Sequence, residues 1–141
     1  MDYIDTSVIL SRINPNDANH PSGMRLIEQS KDMVVSAITL IEMKSVFSRT
    51  TKLTEEEIEA YLRHVYEIAI EYKIADLNRV FARALEISFS LKMKTLDVLH
   101  LAACLEIGAE VFVSLDQEFE SRAREISNLG ITVRTSRDID L

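Results

Sequence analysis

Hydrophobic and polar positions follow two different periods along the chain, and together they predict strands separated by helices. Short apolar runs bounded by polar or turn residues are typical of buried strands, and they lie at 1–5, 33–36, 110–115 and 130–134. Apolar residues at helical spacing predict a first helix that begins at Thr6 and further helices at 24–31, 37–49, 54–73, 77–91, 95–108 and 116–129. Strands joined by helices favour parallel pairing. We therefore expect an α/β fold, a three-layer α/β/α sandwich around a small, mainly parallel sheet, in a single domain over residues 1–141.

Local signals refine two parts of this prediction. Turn residues are concentrated between Asn14 and Gly23, which predicts one long loop there. Thr54, followed three residues later by Glu57, has the spacing of a capping box and predicts a helix start. The apolar positions of that helix are Ile58, Tyr61, Leu62, Val65, Ile68, Ala69 and Tyr72. A minor strand is expected near 74–77.

Composition and charge limit the classes of function. Sixteen Lys and Arg against 23 Asp and Glu give a net charge of -7, which argues against broad electrostatic binding to nucleic acid. Any contact with a nucleic acid should therefore be local or assisted by a metal. No apolar run approaches the roughly 20 residues that span a bilayer, and no secretory leader opens the chain, so we expect a cytoplasmic protein. The single Cys104 lies in an apolar helical run and is expected to be a buried thiol.

Three aspartates lie where the predicted sheet would present them to a ligand. Asp5 ends the first strand and Asp116 follows the strand at 110–115, so both should emerge at the same edge of a parallel sheet. Asp97 occupies the first turn of its predicted helix, where the positive end of the helix favours an acid.

Glu42 is the acid that the local pattern explains least well. It lies six residues past the second strand, and helical side chains lean back toward the helix N-terminus, so its carboxylate can reach the same edge. Ile38 and Val46, four residues to either side, are apolar. Buried carboxylates seldom persist without a partner or a metal, which makes Glu42 a candidate ligand.

Each acid has a structural alternative when it is taken alone. Asp5, Asp97 and Asp116 could cap or stabilise helix starts, and Glu42 could pair with an arginine or lysine elsewhere in the chain. Two carboxylates about 5 Å apart repel by roughly 3 kcal/mol at an effective dielectric near 20, so a cluster of four requires a counter-charge. Oxygen ligands suit Mg²⁺ first and Mn²⁺ second, since too few His and Cys occur together for zinc.

Four segments of the chain together resemble the PIN domain family, specifically the VapC-type toxins of toxin-antitoxin pairs. They are YIDTSV at 3–8, SAITLIE at 36–42, LDVLHLAA at 96–103 and VSLDQEF at 113–119. The resemblance spans nearly the whole chain. It implies a metal-dependent endoribonuclease that forms homodimers and is held inactive by a cognate antitoxin. It assigns metal-binding and catalytic roles to Asp5, Glu42, Asp97 and Asp116, and accessory polar roles near the metal to Thr6 and Ser114.

The expected reaction is hydrolysis of an RNA phosphodiester by water that the cation activates. Four basic residues near the predicted edge are candidates for phosphate contacts, with ordinary solvated charge as the alternative: Arg12, Lys44, Lys92 and Lys94. His100, three residues past Asp97, shares its helical face and could be an acid, a base or a ligand. We interpret His100 as a packed or partly exposed helix residue, because the family pattern does not require it.

The sequence also bears on three alternative functions. A non-catalytic PIN-like module that binds RNA or protein is disfavoured because all four acids are present. A receiver-type signalling domain needs an acidic pair after the first strand, and Asp5-Thr6-Ser7 supplies one acid. DNA cleavage stays open, since metal-assisted hydrolysis does not by itself distinguish the sugar.

The apolar stripes of the helices at 54–73 and 77–91 are interpreted as core. Any apolar residues of these helices that stay exposed could bind a second copy of the chain or an antitoxin.

Overall fold

The computed structural model describes residues 1–68 and 70–139. The strands within these residues are β1 (Asp2–Ile4), β2 (Met33–Val35), β3 (Glu71–Tyr72), β4 (Val111–Val113) and β5 (Thr132–Arg134). The helices are α1 (Thr6–Ile13), α2 (His20–Gln29), α3 (Ala37–Thr50), α4 (Glu55–Glu67), α5 (Leu77–Leu91), α6 (Thr95–Ile107), α7 (Gln117–Ser121) and α8 (Ala123–Ser127), followed by a 3-10 turn at Ser136–Asp138. The strands form one sheet in the order β3-β2-β1-β4-β5, and every pairing is parallel. The predicted α/β fold with a parallel sheet is confirmed.

The sheet is covered on both faces because its central strands are apolar on both sides. Successive residues of a strand point to opposite faces. Tyr3 and Phe112 point to one face and pack with residues of α5, α6, α7 and α8. Ile4 and Val113 point to the other and pack with residues of α1, α2, α3 and α4. The fold therefore has the three layers that the sequence predicts, with β1 in the centre.

Helix α6 is apolar on nearly all sides, and such a helix is expected to be buried. Its residues 101–104 are all at most 1% exposed, and α6 packs against α5 over much of its length. Gly108 ends the helix in the left-handed conformation, at φ 86°, which favours glycine. Val98 and Leu101 of α6 share this core with Tyr3 of β1, so α6 is held against the sheet.

The loop predicted at 14–23 is shorter than expected, because α2 already begins at His20. Pro21 lies in the first turn of that helix, where a proline is tolerated since its missing N–H would have no helical partner. Gly23 lies against α1: a Cβ built on it would be 2.0 Å from Oγ of Ser11. This glycine serves close helix packing, whereas the sequence pattern indicated a turn.

The helix predicted at 54–73 begins as expected but ends early. Both hydrogen bonds of the capping box are present, from Glu57 N to Thr54 Oγ1 at 3.2 Å and from Thr54 N to Glu57 Oε1 at 3.3 Å. The helix ends at Glu67, and Glu71–Tyr72 pairs with β2 as an edge strand. The minor strand expected at 74–77 is thus wrong in position, and the predicted helical position Ala69 lies outside the described residues.

The prediction of one continuous helix at 116–129 is also wrong. This segment is divided into α7 and α8 at Arg122, whose backbone at φ -107° and ψ 12° departs from helical geometry. Both short helices contribute one buried apolar residue, Phe119 and Ile126, to the same core. Across the described part of the chain, no helix has both the length and the apolar character that a bilayer crossing requires.

Candidate active site

Asp5 and Ser114 lie side by side at the carboxyl edge of the sheet. Ile4 is paired with Val113, and the backbone N–H of Asp5 donates to the carbonyl of Val113 at 2.9 Å. The Asp5 residue is 4% exposed, and its Oδ2 accepts hydrogen bonds from Ser114 Oγ at 2.7 Å and from Ser7 Oγ at 2.8 Å. Its side chain makes no cap bond to α1, so the capping alternative does not account for this buried acid.

Glu42 reaches the same edge from the second turn of α3. Its Oε1 lies 3.1 Å from Nε2 of His100, a ring that is 1% exposed. One ligand atom each from Asp5, Glu42 and His100 lie within 4.8 Å of one another. The partner of Glu42 is therefore a histidine of α6, and not the arginine or lysine that the structural alternative required.

Among the described residues, Asp97 and Asp116 do not belong to the group whose ligand atoms lie within 4.8 Å of one another. Asp97 is partly buried in the first turn of α6, as expected. Asp116 is exposed and caps α7, since its Oδ1 accepts the N–H of Glu118 at 2.9 Å. The four predicted acids lie toward one edge but differ in burial: Asp5 is buried, Glu42 and Asp97 are partly exposed, and Asp116 is exposed.

Burial and mutual repulsion shift the pKa values of these acids. Burial raises the pKa of Asp5 above its usual value, against the opposing effects of His100 and of the Ser114 and Ser7 hydroxyls. Burial, together with the charges of Asp116 and Asp5, raises the pKa of Asp97 to about 6. Burial alone would also raise the pKa of Glu42, but His100 and Thr6 outweigh it and hold that pKa below its usual value. Two of the acids thus hold their protons unusually tightly.

The Thr6 hydroxyl is a polar atom in the interior without a hydrogen bond of good geometry among the described residues. Thr6 is 3% exposed and follows Asp5 directly, at the start of α1. It is near enough to Glu42 to lower the pKa of that carboxyl. A buried hydroxyl with unused hydrogen-bonding capacity beside two carboxylates is chemically suited to a hydrated cation.

The basic residues near this edge differ in position, exposure and ion pairing. Lys44 is held by Glu55 at 2.9 Å and Glu59 at 2.8 Å, across the gap from α3 to α4. Arg12 lies in the last turn of α1, about 9 Å along the helix from its start. Lys92 and Lys94 are both exposed in the turn between α5 and α6, and Lys92 lies over the ring of Phe89 at 4.5 Å.

His100 is the residue of this site that sequence reasoning underestimated. Its spacing of three from Asp97 and the apolar residues around it were visible signals, since an unpaired imidazole is costly to bury. The position of Glu42, 58 residues away and on another helix, could be related to it only by the fold.

Comparison with known proteins identifies the family and the fold. A model of the family described as "PIN domain" matches residues 3–125. No curated protein sequence matches the chain significantly. Among solved structures of similar fold, VapC20 of Mycobacterium tuberculosis, described as a sarcin-ricin loop cleaving toxin, is 17% identical, with a TM-score of 0.68 over 86% of this chain and 94% of that one.

Two complexes contain chains of the same fold. FitAcB of Neisseria gonorrhoeae is 17% identical, with a TM-score of 0.67 over 97% of this chain and 99% of that one. VapBC2 of Rickettsia felis, solved with a DNA fragment from its promoter, is 16% identical, with a TM-score of 0.69 over 96% and 98%. The family match covers most of the chain and includes Asp5, Glu42, Asp97 and Asp116. The chain belongs to the PIN domain family.

Proposed function

We propose that the protein is a metal-dependent endoribonuclease that hydrolyses RNA phosphodiester bonds, and that it acts as the toxin of a toxin-antitoxin pair in the cytoplasm. The observation that carries this proposal is the pair Asp5 and Glu42, brought together at the carboxyl edge of a parallel sheet in a PIN domain. A protein of similar fold, VapC20, is a toxin that cleaves the sarcin-ricin loop.

The residues present fit a divalent cation of the Mg²⁺ or Mn²⁺ type. Asp5, Glu42, Asp97 and Asp116 would supply carboxylate oxygens, and the hydroxyls of Thr6 and Ser114 would assist them. No ion pair among the described residues joins a lysine or arginine to Asp5, Glu42 or Asp97. The negative charge at this edge therefore calls for a cation from outside the chain.

When bound, such a cation lowers the pKa of water and stabilises the charge that develops on a phosphodiester during hydrolysis. The chain's own residues have separate tasks. Ser7 and Ser114 hold Asp5 Oδ2, which leaves Oδ1 without a hydrogen bond among the described residues and free to act as a ligand. Glu42, ionised through its contacts with His100 and Thr6, can bind the cation or orient the attacking water. Asp97 and Asp116 lie toward solvent, where the RNA backbone would approach.

Few basic residues lie where they could contact RNA phosphates. Lys92 and Lys94 precede Asp97 and carry no ion pair among the described residues, so they are our first candidates. Arg12 is a second candidate at greater distance from the acids. Lys44 is less available, because two glutamates neutralise it. With so few basic residues near the acids, we expect weak, salt-sensitive binding to RNA in the absence of metal.

The exposed face of α5 is the surface best suited to a protein partner. Four apolar residues, spaced four apart, form a continuous stripe, which we call the α5 stripe: Leu77, Phe81, Leu85 and Phe89 are 54%, 50%, 80% and 85% exposed. A groove of about 390 Å³ continues from it to Ile41 and Glu42, beside the acids. A monomer rarely exposes such a stripe, and we propose that a second copy of the chain covers it and that the antitoxin binds the dimer.

The proposal is tested by incubating the pure protein with RNA and with DNA of the same sequence, in Mg²⁺, Mn²⁺ or EDTA. We expect RNA cleavage in either metal, none in EDTA, and at least 100-fold less with Asp97→Asn. Asp32→Asn, at an exposed aspartate with φ of 48° that asparagine tolerates, is the matched control and should cleave normally. Cleavage that survives EDTA, or Asp97→Asn, would contradict the metal mechanism. RNA that is bound but left intact would favour the non-catalytic PIN-like module.

A further inference from the structure

A chain of hydrogen bonds runs through the core and ends on Glu42. The phenol oxygen of Tyr3 lies 2.6 Å from Ser36 Oγ, 3.3 Å from Thr39 Oγ1 and 3.0 Å from Nδ1 of His100. The other ring nitrogen of His100, Nε2, lies 3.1 Å from Glu42 Oε1. Tyr3 and His100 are 0% and 1% exposed, so water does not compete for the bonds to the Tyr3 oxygen, whereas the bond to Glu42 is partly buried. The central strand, α3 and α6 are thereby joined by polar side chains inside an otherwise apolar core.

The chemistry of these groups determines where the protons lie. A carboxylate only accepts, so the bond between Glu42 and His100 requires a proton on Nε2. A neutral ring with a proton on Nε2 has a bare Nδ1, which needs a donor, and the Tyr3 hydroxyl is the donor within reach. Burial raises the pKa of Tyr3, so its hydroxyl keeps the proton that it donates. Ser36 and Thr39 then donate to the phenol oxygen in turn.

We propose that His100 is a positioning residue, whose Nε2–H donates to Glu42 while Tyr3 holds the ring through Nδ1, and that it orients Glu42 for cation binding. This inference rests on the proposed role of Glu42. A proton on Nε2 also means that His100 is not itself a ligand, although its nitrogen lies within 4.8 Å of both carboxylates. Partners that orient a ligand in this way commonly change metal affinity by about 10- to 100-fold when they are removed.

The tautomer is tested directly in the wild-type protein by long-range ¹H–¹⁵N NMR of histidine-labelled material. The chain has three histidines, His20, His64 and His100, and the signals of His100 are identified by their loss in His100→Gln. We expect a protonated Nε2 and a bare Nδ1, unchanged when Mg²⁺ is added. A proton on Nδ1, or loss of the Nε2 proton on addition of Mg²⁺, would overturn the proposal in favour of direct ligation by His100.

Substitutions distinguish a role of His100 in positioning Glu42 from a role in packing alone. Tyr3→Phe removes one oxygen from the core, and we expect it to mix the two His100 tautomers and to weaken Mn²⁺ binding about 10-fold by calorimetry. Tyr66→Phe, at a half-exposed tyrosine of α4, is the matched control and should change neither. His100→Gln keeps an amide donor for Glu42 and should lose several-fold less affinity than His100→Ala.

The two proposals fail in distinguishable ways. If the wild-type protein binds no Mn²⁺ and cleaves no RNA, the proposed nuclease function fails. If it does both, while Tyr3→Phe and His100→Ala bind Mn²⁺ as tightly as the wild type, the nuclease stands and the positioning role of His100 fails. Should a variant not fold, the wild-type tautomer still decides whether Tyr3 and His100 are arranged as proposed.

Discussion

The hydroxyl of Ser114 donates a 2.7 Å hydrogen bond to Oδ2 of Asp5, although the two residues are 109 positions apart in the chain. The same hydroxyl accepts the backbone N–H of Asp116 at 3.0 Å. One buried side chain thus connects the ends of β1 and β4 with the loop that carries the outermost acid. The Ser114 oxygen therefore helps Ser7 to orient Asp5 and also holds the start of the loop at Asp116.

Ser114→Ala should weaken cation binding without unfolding the protein. Asp5 would keep the Ser7 bond, but its carboxylate would turn more freely, and the N–H of Asp116 would lose its acceptor. We expect about 5- to 10-fold weaker Mn²⁺ binding by calorimetry and a loss of about 1 to 2 kcal/mol in the free energy of unfolding. Ser121→Ala, at an exposed serine that bonds only to its own helix, is the control. Equal Mn²⁺ affinity in both variants would contradict the role of Ser114.

Asp5→Asn should stabilise the metal-free protein while removing its response to metal. Burial raises the pKa of Asp5, so the folded state disfavours its charge, and the neutral amide avoids that cost while still accepting from Ser7 and Ser114. We expect a Tm higher by a few degrees in EDTA at pH 7.5, and no further increase with Mg²⁺. A lower Tm in EDTA would mean that a cationic group within the chain already compensates Asp5.

Asp97 should make cation binding depend on pH. Its pKa of about 6 means that the proton must leave before the carboxylate can ligate. The apparent Mn²⁺ affinity should therefore rise about tenfold between pH 5 and pH 7, in addition to any contribution from Asp5. Calorimetry at several pH values measures this, and Asp97→Asn should flatten the Asp97 part of the profile. A profile that is unchanged in Asp97→Asn would contradict the assignment.

The raised pKa of Asp97 also predicts how the stability of the metal-free protein depends on pH. A raised pKa means that the folded state binds the proton more tightly than the unfolded chain does, so stability falls as the pH rises from about 4 through about 6. Because Asp97 is partly exposed, we expect a fall on the order of 1 kcal/mol. Urea unfolding in EDTA measures it. Asp97→Asn should be the more stable protein above pH 6, and a less stable variant there would contradict this sign.

Gly23→Ala tests the close approach of α1 and α2. The new Cβ would lie 2.0 Å from Ser11 Oγ and 3.2 Å from its Cβ, so the Ser11 side chain must turn away or the two helices must move apart. We expect a loss of about 1 to 3 kcal/mol in the free energy of unfolding, as for other overpacked sites. Ser11→Ala removes the nearest atom and should restore part of that stability in the double variant. A double variant no more stable than Gly23→Ala would indicate that the backbone, and not Ser11, limits the space.

Leu85→Lys should disrupt the proposed homodimer. Leu85 is 80% exposed in the middle of the α5 stripe, and burying an ammonium group against another apolar stripe is costly. Light scattering after size-exclusion chromatography should give a dimer for the wild type and a monomer for the variant. Tyr66→Lys, on the opposite side of the sheet, should remain dimeric. A wild-type monomer at all concentrations would contradict the proposed homodimer.

The sequence by itself determined the features that depend on neighbours along the chain. The capping box at Thr54 formed as predicted because both of its hydrogen bonds join residues three apart. The strands near Tyr3 and Phe112 were predicted from apolar runs, and their parallel pairing followed from the helices between them. The alignment of Asp5 with the end of β4 follows from the same pattern, since strand ends in a parallel sheet meet at one edge.

Only the tertiary structure decided which side chains face each other across elements. The bond between Glu42 and His100 depends on how α3 crosses α6, and the role of Gly23 depends on how α2 meets α1. The end of α4 was mispredicted because Glu71 and Tyr72 gain sheet hydrogen bonds from β2 that their helical spacing does not reveal. Periodicity and capping act over a few residues, whereas these contacts are set by the packing of whole helices against the sheet.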